Sequence, residues 1–159
     1  MNPQHLVLSL WQRWGGFAFG RWCYSRCLGW LVPYSGSISA NVLQLKPGYA
    51  LVSLRDRRAV RNHLHSIHAL ALANLGELSS GLAMMAALPN NIKAIVTKLE
   101  VTYLKKARGQ VHAEGFANPP THIVEPTEHI VSAAIKDDGG DVVATLQIVW
   151  QLKPEEVVP

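Results

Sequence analysis

Residues 62–90 read NHLHSIHALALANLGELSSGLAMMAALPN. The reading of this stretch decides the fold. From Ala69 to Leu88 it is rich in Ala, Leu and Met, all strong helix formers, and long enough for several turns before Pro89 and Asn90 close it. The segment is apolar on nearly every side, so as a helix it is expected to be buried all round. Between Ala69 and Ile92 it carries one ionisable residue, Glu77. A lone carboxylate in a buried helix is costly unless it is paired, neutral or useful. Ahead of the helix, Asn62 to Ser66 reads as an irregular lead-in, with Ser66 as the expected N-cap.

The composition frames that helix. With 159 residues, 48% hydrophobic and 16% charged, the chain can bury a sizeable core in one domain, and disorder is excluded. The net charge of +4 suits polyanionic ligands such as phosphates and is too small to argue for nucleic acid. Cys23 and Cys27 would share one helical face and read as reduced structural residues rather than a disulfide framework. No apolar run is read as a membrane span, and Leu6-Val7-Leu8-Ser9-Leu10 is too short and lacks a basic flank for a secretory signal. A cytoplasmic protein without stable membrane insertion is expected.

Outward from the helix, the pattern changes on both sides. Residues 4–32 read as helical, broken at Gly15-Gly16 and ended by Pro33. No acidic residue occurs before Asp56, whereas Arg13, Arg21, Arg26, Lys46 and Arg55 are basic. Such a Trp- and Arg-bearing segment could rest on a membrane surface. The preferred reading is a helical cap that buries its tryptophans on the sheet or on a partner subunit. Ile38–Leu45 and Tyr49–Leu54 read as strands joined by Lys46-Pro47-Gly48. After the helix come Ile95–Leu104, Gln110–Ala117, Ile130–Lys136 and Val142–Gln151, the last two joined by the hairpin signal Asp137-Asp138-Gly139-Gly140-Asp141. The expected organisation is a cap (1–34), an α+β domain (35–152) and a frayed tail (153–159), with an antiparallel sheet of about six strands wrapped round one long central helix.

Asn62, His68 and Glu77 match in type and spacing the motif of the PaaI-like acyl-CoA thioesterases, in which an Asn is followed by His-Gly-Gly at the helix start and an Asp or Glu lies two turns along. Val101-Thr102-Tyr103-Leu104-Lys105-Lys106-Ala107-Arg108-Gly109 also resembles that family's strand and turn after the helix. The resemblance covers roughly residues 35–152 and extends to a subfamily with a similar helical cap. It implies the hotdog fold and hydrolysis of an acyl-CoA or related thioester, with no cofactor beyond the CoA of the substrate. It also implies assembly as at least a homodimer, with pairs of dimers forming tetramers, and no nucleic-acid partner. One departure stands out: Ala69-Leu70 replaces Gly-Gly, keeping the amide but adding bulk.

The chemistry follows from what a thioester needs. Its carbonyl oxygen requires donors as it becomes anionic, and the free amides at a helix start, Ala69 N–H first, supply them. Glu77 is the candidate general base or nucleophile, its pKa expected to rise in an apolar helix. Asn62 would position water or the carbonyl, and His68 would shape the loop or hydrogen-bond near the thioester. Structural readings compete: Glu77 with Asn74 and Ser80 or Gly81 as a polar stripe at a subunit interface, and Asn62 as a turn residue. His63, His65 and His68 are weak evidence for a metal, and none is assigned. Lys105, Lys106 and Arg108 are candidates for the CoA phosphates, with Arg57, Arg58 and Arg61 as alternatives. Met84, Met85, Leu82 and Leu88 read as core. The competing functions are a non-catalytic acyl-CoA-binding module and, ranked lower, a hydroxyacyl-thioester dehydratase pairing His63 with Glu77.

Overall fold

A computed structural model describes residues 3–155. The elements run α1 (Pro3–Trp14), α2 (Ala18–Leu31), α3 (Pro33–Gly36), β1 (Asn41–Lys46), β2 (Tyr49–Leu54), a 3-10 turn (Arg58–Val60), α4 (Ala69–Ala87), β3 (Ile92–Tyr103), β4 (Val111–Phe116), β5 (Thr127–Asp137) and β6 (Val142–Pro154). The six strands form one sheet in the order β1-β2-β4-β5-β6-β3, every neighbouring pair antiparallel. Register shifts on the β1, β3 and β5–β6 pairings bend the sheet, which curls round α4. This is the hotdog fold expected from the sequence.

Alternation along the strands builds the core. Val111 and Ala113 on β4, Val131, Ala133 and Ile135 on β5, and Leu146, Ile148, Trp150 and Leu152 on β6 are buried. From α4, Leu72, Leu75, Leu82, Ala83 and Met84 fill the space between. Two glycines allow the close contact. A Cβ at Gly115 would strike the Ser79 backbone of α4, and one at Gly76 would strike Leu146. By length and composition α4 could cross a membrane, contrary to the sequence expectation that no run was long enough, but it is mostly buried within the sheet. Its apolar character is that of a core helix.

Several local expectations are corrected. His68, not Ser66, caps α4: its Nδ1 accepts from Leu70 N–H at 3.1 Å, while Ser66 is buried and its hydroxyl donates to Asn62. On β6, the bulge opposite Ile135 places Val143 inward together with Ala144, and regular alternation starts only at Ala144. Lys153 and Pro154 pair with Lys93 and Ile92 instead of fraying. Residues 156–159 of the expected tail lie outside the described residues.

The N-terminal helices divide their tryptophans. Trp11 and Trp14 pack against the core, with the Trp11 ring edge-on to buried Tyr24 at 5.1 Å. Trp22 and Trp30 are 52% and 79% exposed. Of the two expected covers, the sheet is therefore not the one for Trp22 and Trp30: the side that α2 buries is made by Gly20, Tyr24, Ser25 and Leu28. The cap is fixed to β1 by Ser25 Oγ, which accepts from Val42 N–H at 2.9 Å, and by Arg26, which donates to Ala40 O at 2.9 Å.

Candidate active site

The site begins in the loop before α4. Asn62 Oδ1 accepts from Leu64 N–H at 2.9 Å, Ser66 N–H at 3.2 Å and Ser66 Oγ at 3.2 Å. One side-chain oxygen therefore folds residues 62–66, and no described residue accepts from its Nδ2. Ile67 N–H donates to Ala107 O and His68 N–H to Val60 O, each at 2.8 Å, which holds the loop against the β3–β4 connection on one side and the 3-10 turn on the other. Asp56 adds a second tie by pairing with Arg61 and accepting from Gly109 N–H. The Arg61 guanidinium holds the Asp56 carboxyl below the usual carboxylate range.

At the helix start the amides have distinct fates. Leu70 N–H goes to the His68 ring, and Ala71 and Leu72 N–H go to His68 O. Ala69 N–H has no acceptor among the described residues. It lies in the first turn, where unpaired amides and the helix dipole favour negative charge. Because Nδ1 of His68 is the acceptor, the neutral ring carries its proton on Nε2. Leu70, the feared obstruction, is 63% exposed. Tyr103 on β3 donates its hydroxyl to Ala69 O at 2.9 Å, and burial raises its pKa. Sequence reading did not single out Tyr103. Its place within the expected strand Ile95–Leu104 gives no sign of a bond to a helix residue 34 positions earlier.

Glu77 lies two turns along α4. Burial raises its pKa from the ordinary 4.5, and its carboxylate has no hydrogen-bond or ion-pair partner among the described residues. A Cβ at Gly81 would sit 3.8 Å from Glu77 Oε1 and 3.5 Å from the Trp150 ring, so the glycine leaves open the space between carboxylate and indole. Trp150 Nε1 and Asn74 Oδ1 are buried without partners. The supposed polar stripe is dispersed: Asn74 Nδ2 donates to Tyr34 O of α3, and Ser80 Oγ donates to Glu77 O within the helix.

Eight residues separate Ala69 from Glu77, about 12 Å along a helix axis. One thioester group cannot touch both in a single chain. Of the basic candidates, Lys105 bridges Asp137 and Asp141 at 2.7 and 2.6 Å and is neutralised by them. Lys106 and Arg108 are exposed and make no ion pair among the described residues. His63 and His65 are exposed loop residues, and among the described residues no three His, Cys, Asp or Glu side chains gather as a metal site would require.

Comparison with known proteins agrees with this architecture. A family model described as Domain of unknown function (DUF4442) matches residues 20–152. A crystal structure named genomics APC5556 superposes at TM-score 0.81 with 27% identity, covering 94% of this chain and 99% of that one. A Pseudomonas aeruginosa protein named as a probable thioesterase gives 0.69 with 20% identity over 82% and 91% of the two chains. A Haemophilus influenzae thioesterase gives 0.70 with 10% identity over 82% and 92%. At those two identities the likeness carries the fold. The search of the curated proteins finds no match.

Proposed function

Since the chain belongs to the DUF4442 family and has the hotdog fold of proteins named thioesterases, we propose that it is an acyl-CoA thioesterase with a site shared between two subunits. The observation that carries the reading is the pair of unsatisfied groups on α4: the Ala69 amide at the helix start and the Glu77 carboxylate beside the gap at Gly81. The first is suited to an oxyanion and the second to a general base or nucleophile.

Their separation along the helix supports a homodimer in which Ala69 of one subunit faces Glu77 of the other. β3 suits such a contact. It is twelve residues long and ends the sheet with no neighbour on its outer side, and it exposes Ile95, Leu99 and Tyr103. Pairing two β3 strands would bring the partner towards Tyr103 and the α4 start. A tetramer of two such dimers is the further assembly proposed.

In this mechanism the thioester oxygen accepts from Ala69 N–H as the carbonyl carbon becomes tetrahedral. Glu77 takes a proton from the attacking water and passes it to the CoA thiolate as the C–S bond breaks, or it attacks the carbon itself, expelling CoA and leaving a mixed anhydride that water then hydrolyses to the free acid and the regenerated carboxylate, its proton going to the thiolate. Asn62, its Oδ1 already committed, contributes its Nδ2 donor, and His68 holds the first turn open through Leu70. Lys106 and Arg108, rather than Lys105, are the cations assigned to the CoA phosphates, and no cofactor is needed. The protein is proposed to work in the cytoplasm.

Thiol release from a panel of acyl-CoA chain lengths, run beside equilibrium titration of the same compounds, tests the assignment. Turnover that disappears in folded Glu77→Ala protein is expected. Tight binding without turnover would favour the non-catalytic module suggested by the bulk of Ala69-Leu70, and hydration of an enoyl thioester would favour a dehydratase.

A further inference from the structure

We propose that the outer face of α2, with residues 30–34, is a docking surface for an anionic phospholipid bilayer. The helix is inverted relative to an ordinary surface helix. The side it buries carries Gly20, Tyr24, Ser25 and Leu28, while the side it exposes carries Phe19, Trp22 and Trp30 at 68%, 52% and 79% exposure. Tyr34 in α3, just after the end of α2, is 74% exposed. At 100° per residue, Phe19, Trp22 and Trp30 fall within an arc of about 80°, along about 16 Å of helix. Phe19 and Trp22 are stacked, with ring centroids 5.8 Å apart. Three large aromatic side chains exposed along one side of a helix are uncommon on a surface that water alone covers.

The residue types and charges select the occupant. Trp and Tyr favour the interface between headgroups and acyl chains, where the ring is buried and the polar edge stays wet. Exposed Arg13 precedes the row in the chain and Arg57, which reaches Ser37 O, lies just beyond α3 at its other end, whereas Arg21 points to the β1 side of the helix and reaches Gly15 O. No acidic residue precedes Asp56, and Asp56 is paired with Arg61. A second copy of the chain across a two-fold axis would set these arginines against each other with no carboxylate between them. An anionic lipid surface supplies the missing charge. The cap packs on β1, at the opposite end of the strand order from β3, so a dimer made through β3 leaves this face open. Adsorption of this kind needs no spanning segment and does not depend on which thioester is cleaved.

The full-length protein is mixed with vesicles of phosphatidylglycerol and phosphatidylcholine, and separately with phosphatidylcholine alone, at low and high salt. Co-sedimentation with the anionic vesicles that weakens in salt is expected. Replacing Arg13 and Arg57 by Ala should lower partition about fivefold per arginine. Trp22→Ser with Trp30→Ser should lower it at least about tenfold, with circular dichroism and thermal midpoint unchanged. Quenching of tryptophan fluorescence by brominated phospholipid should be largely lost in Trp22→Phe with Trp30→Phe, a readout independent of the serine variants. No binding to anionic vesicles at low salt overturns the proposal, as does equal binding to neutral vesicles. It is also overturned if the serine variants split the native oligomer in light scattering, which would assign the face to a second copy.

Discussion

Tyr103 on β3 donates its hydroxyl to the carbonyl of Ala69 in the first turn of α4 at 2.9 Å. This single bond joins the open edge of the sheet to the amide proposed to receive the thioester oxygen. Tyr103 is a positioning residue in this arrangement, since it acts through the peptide that it holds. Tyr103→Phe keeps the ring and removes the donor. Because the side chain is 45% exposed, the stability loss should be at the low end for a hydrogen bond, about 0.5 kcal/mol. The larger effect is expected in kcat, with KM little changed, and steady-state thiol release separates the two.

Ala69→Pro tests the oxyanion donor with little damage to the fold. Ala69 is the first residue of α4, where proline is favoured because no helical bond uses the N–H. The preceding residue, His68, has φ −64° and ψ 141°, which a following proline accepts. The variant should keep its thermal midpoint and lose about 10²–10³ in kcat, as for removal of one oxyanion donor. Full activity in this variant would remove Ala69 from the mechanism.

Mixing subunits tests the shared site. Ala69→Pro and Glu77→Gln chains are each expected to be inactive as homodimers. Unfolded together and refolded in equal amounts, half of the dimers are mixed, and each holds one site with both native groups, so about a quarter of wild-type activity should return. A site contained in one chain would restore nothing.

The parts of this protein that could be read in advance depend on local pattern. The apolar run of α4, the alternation of β4 and β6 and the Asp137–Asp141 hairpin signal each report burial or turn geometry along the chain itself. The parts that could not be read depend on what meets what. Tyr103 finds Ala69 only because β3 passes the start of α4. Lys105 is spent on Asp137 and Asp141 because the β3–β4 connection passes beside the β5–β6 hairpin, and Ser66 yields the cap to His68 because its hydroxyl donates to Asn62. The side of α2 that faces β1 was illegible for the same reason, since nothing in the periodicity sets Trp22 and Trp30 apart from Tyr24 and Leu28.

Asn62 holds two roles that a pair of variants separates. Its Oδ1 gathers three donors of the loop, so Asn62→Ala leaves them unsatisfied and should destabilise by about 1–3 kcal/mol. Asn62→Asp retains an acceptor and should restore most of that loss. If Nδ2 donates to substrate or water, the aspartate variant folds like the wild type yet turns over slowly. If Asn62 only shapes the loop, activity returns together with the thermal midpoint. Chemical denaturation and thiol release on the same preparations distinguish these outcomes.

Glu77 should trade stability for activity, and pH reveals the exchange. Burial raises its native pKa above the ordinary 4.5, so in the window between the two values the folded state holds a proton that the unfolded state has lost. Stability from this group is therefore full below the ordinary value and falls as pH rises through the native one. Glu77→Gln cannot ionise. It should match the wild type in acid and exceed it at neutral pH, with the thermal midpoint raised by about 2–4 °C for each kcal/mol regained. The same ionisation sets the catalytic profile. If the carboxylate is the base or nucleophile, kcat/KM climbs with pH along a limb displaced upward from the ordinary carboxylate range, and Glu77→Gln loses the limb together with about 10²–10⁴ in rate. A variant that gains stability at neutral pH but keeps its activity would make Glu77 a buried charge without a catalytic task.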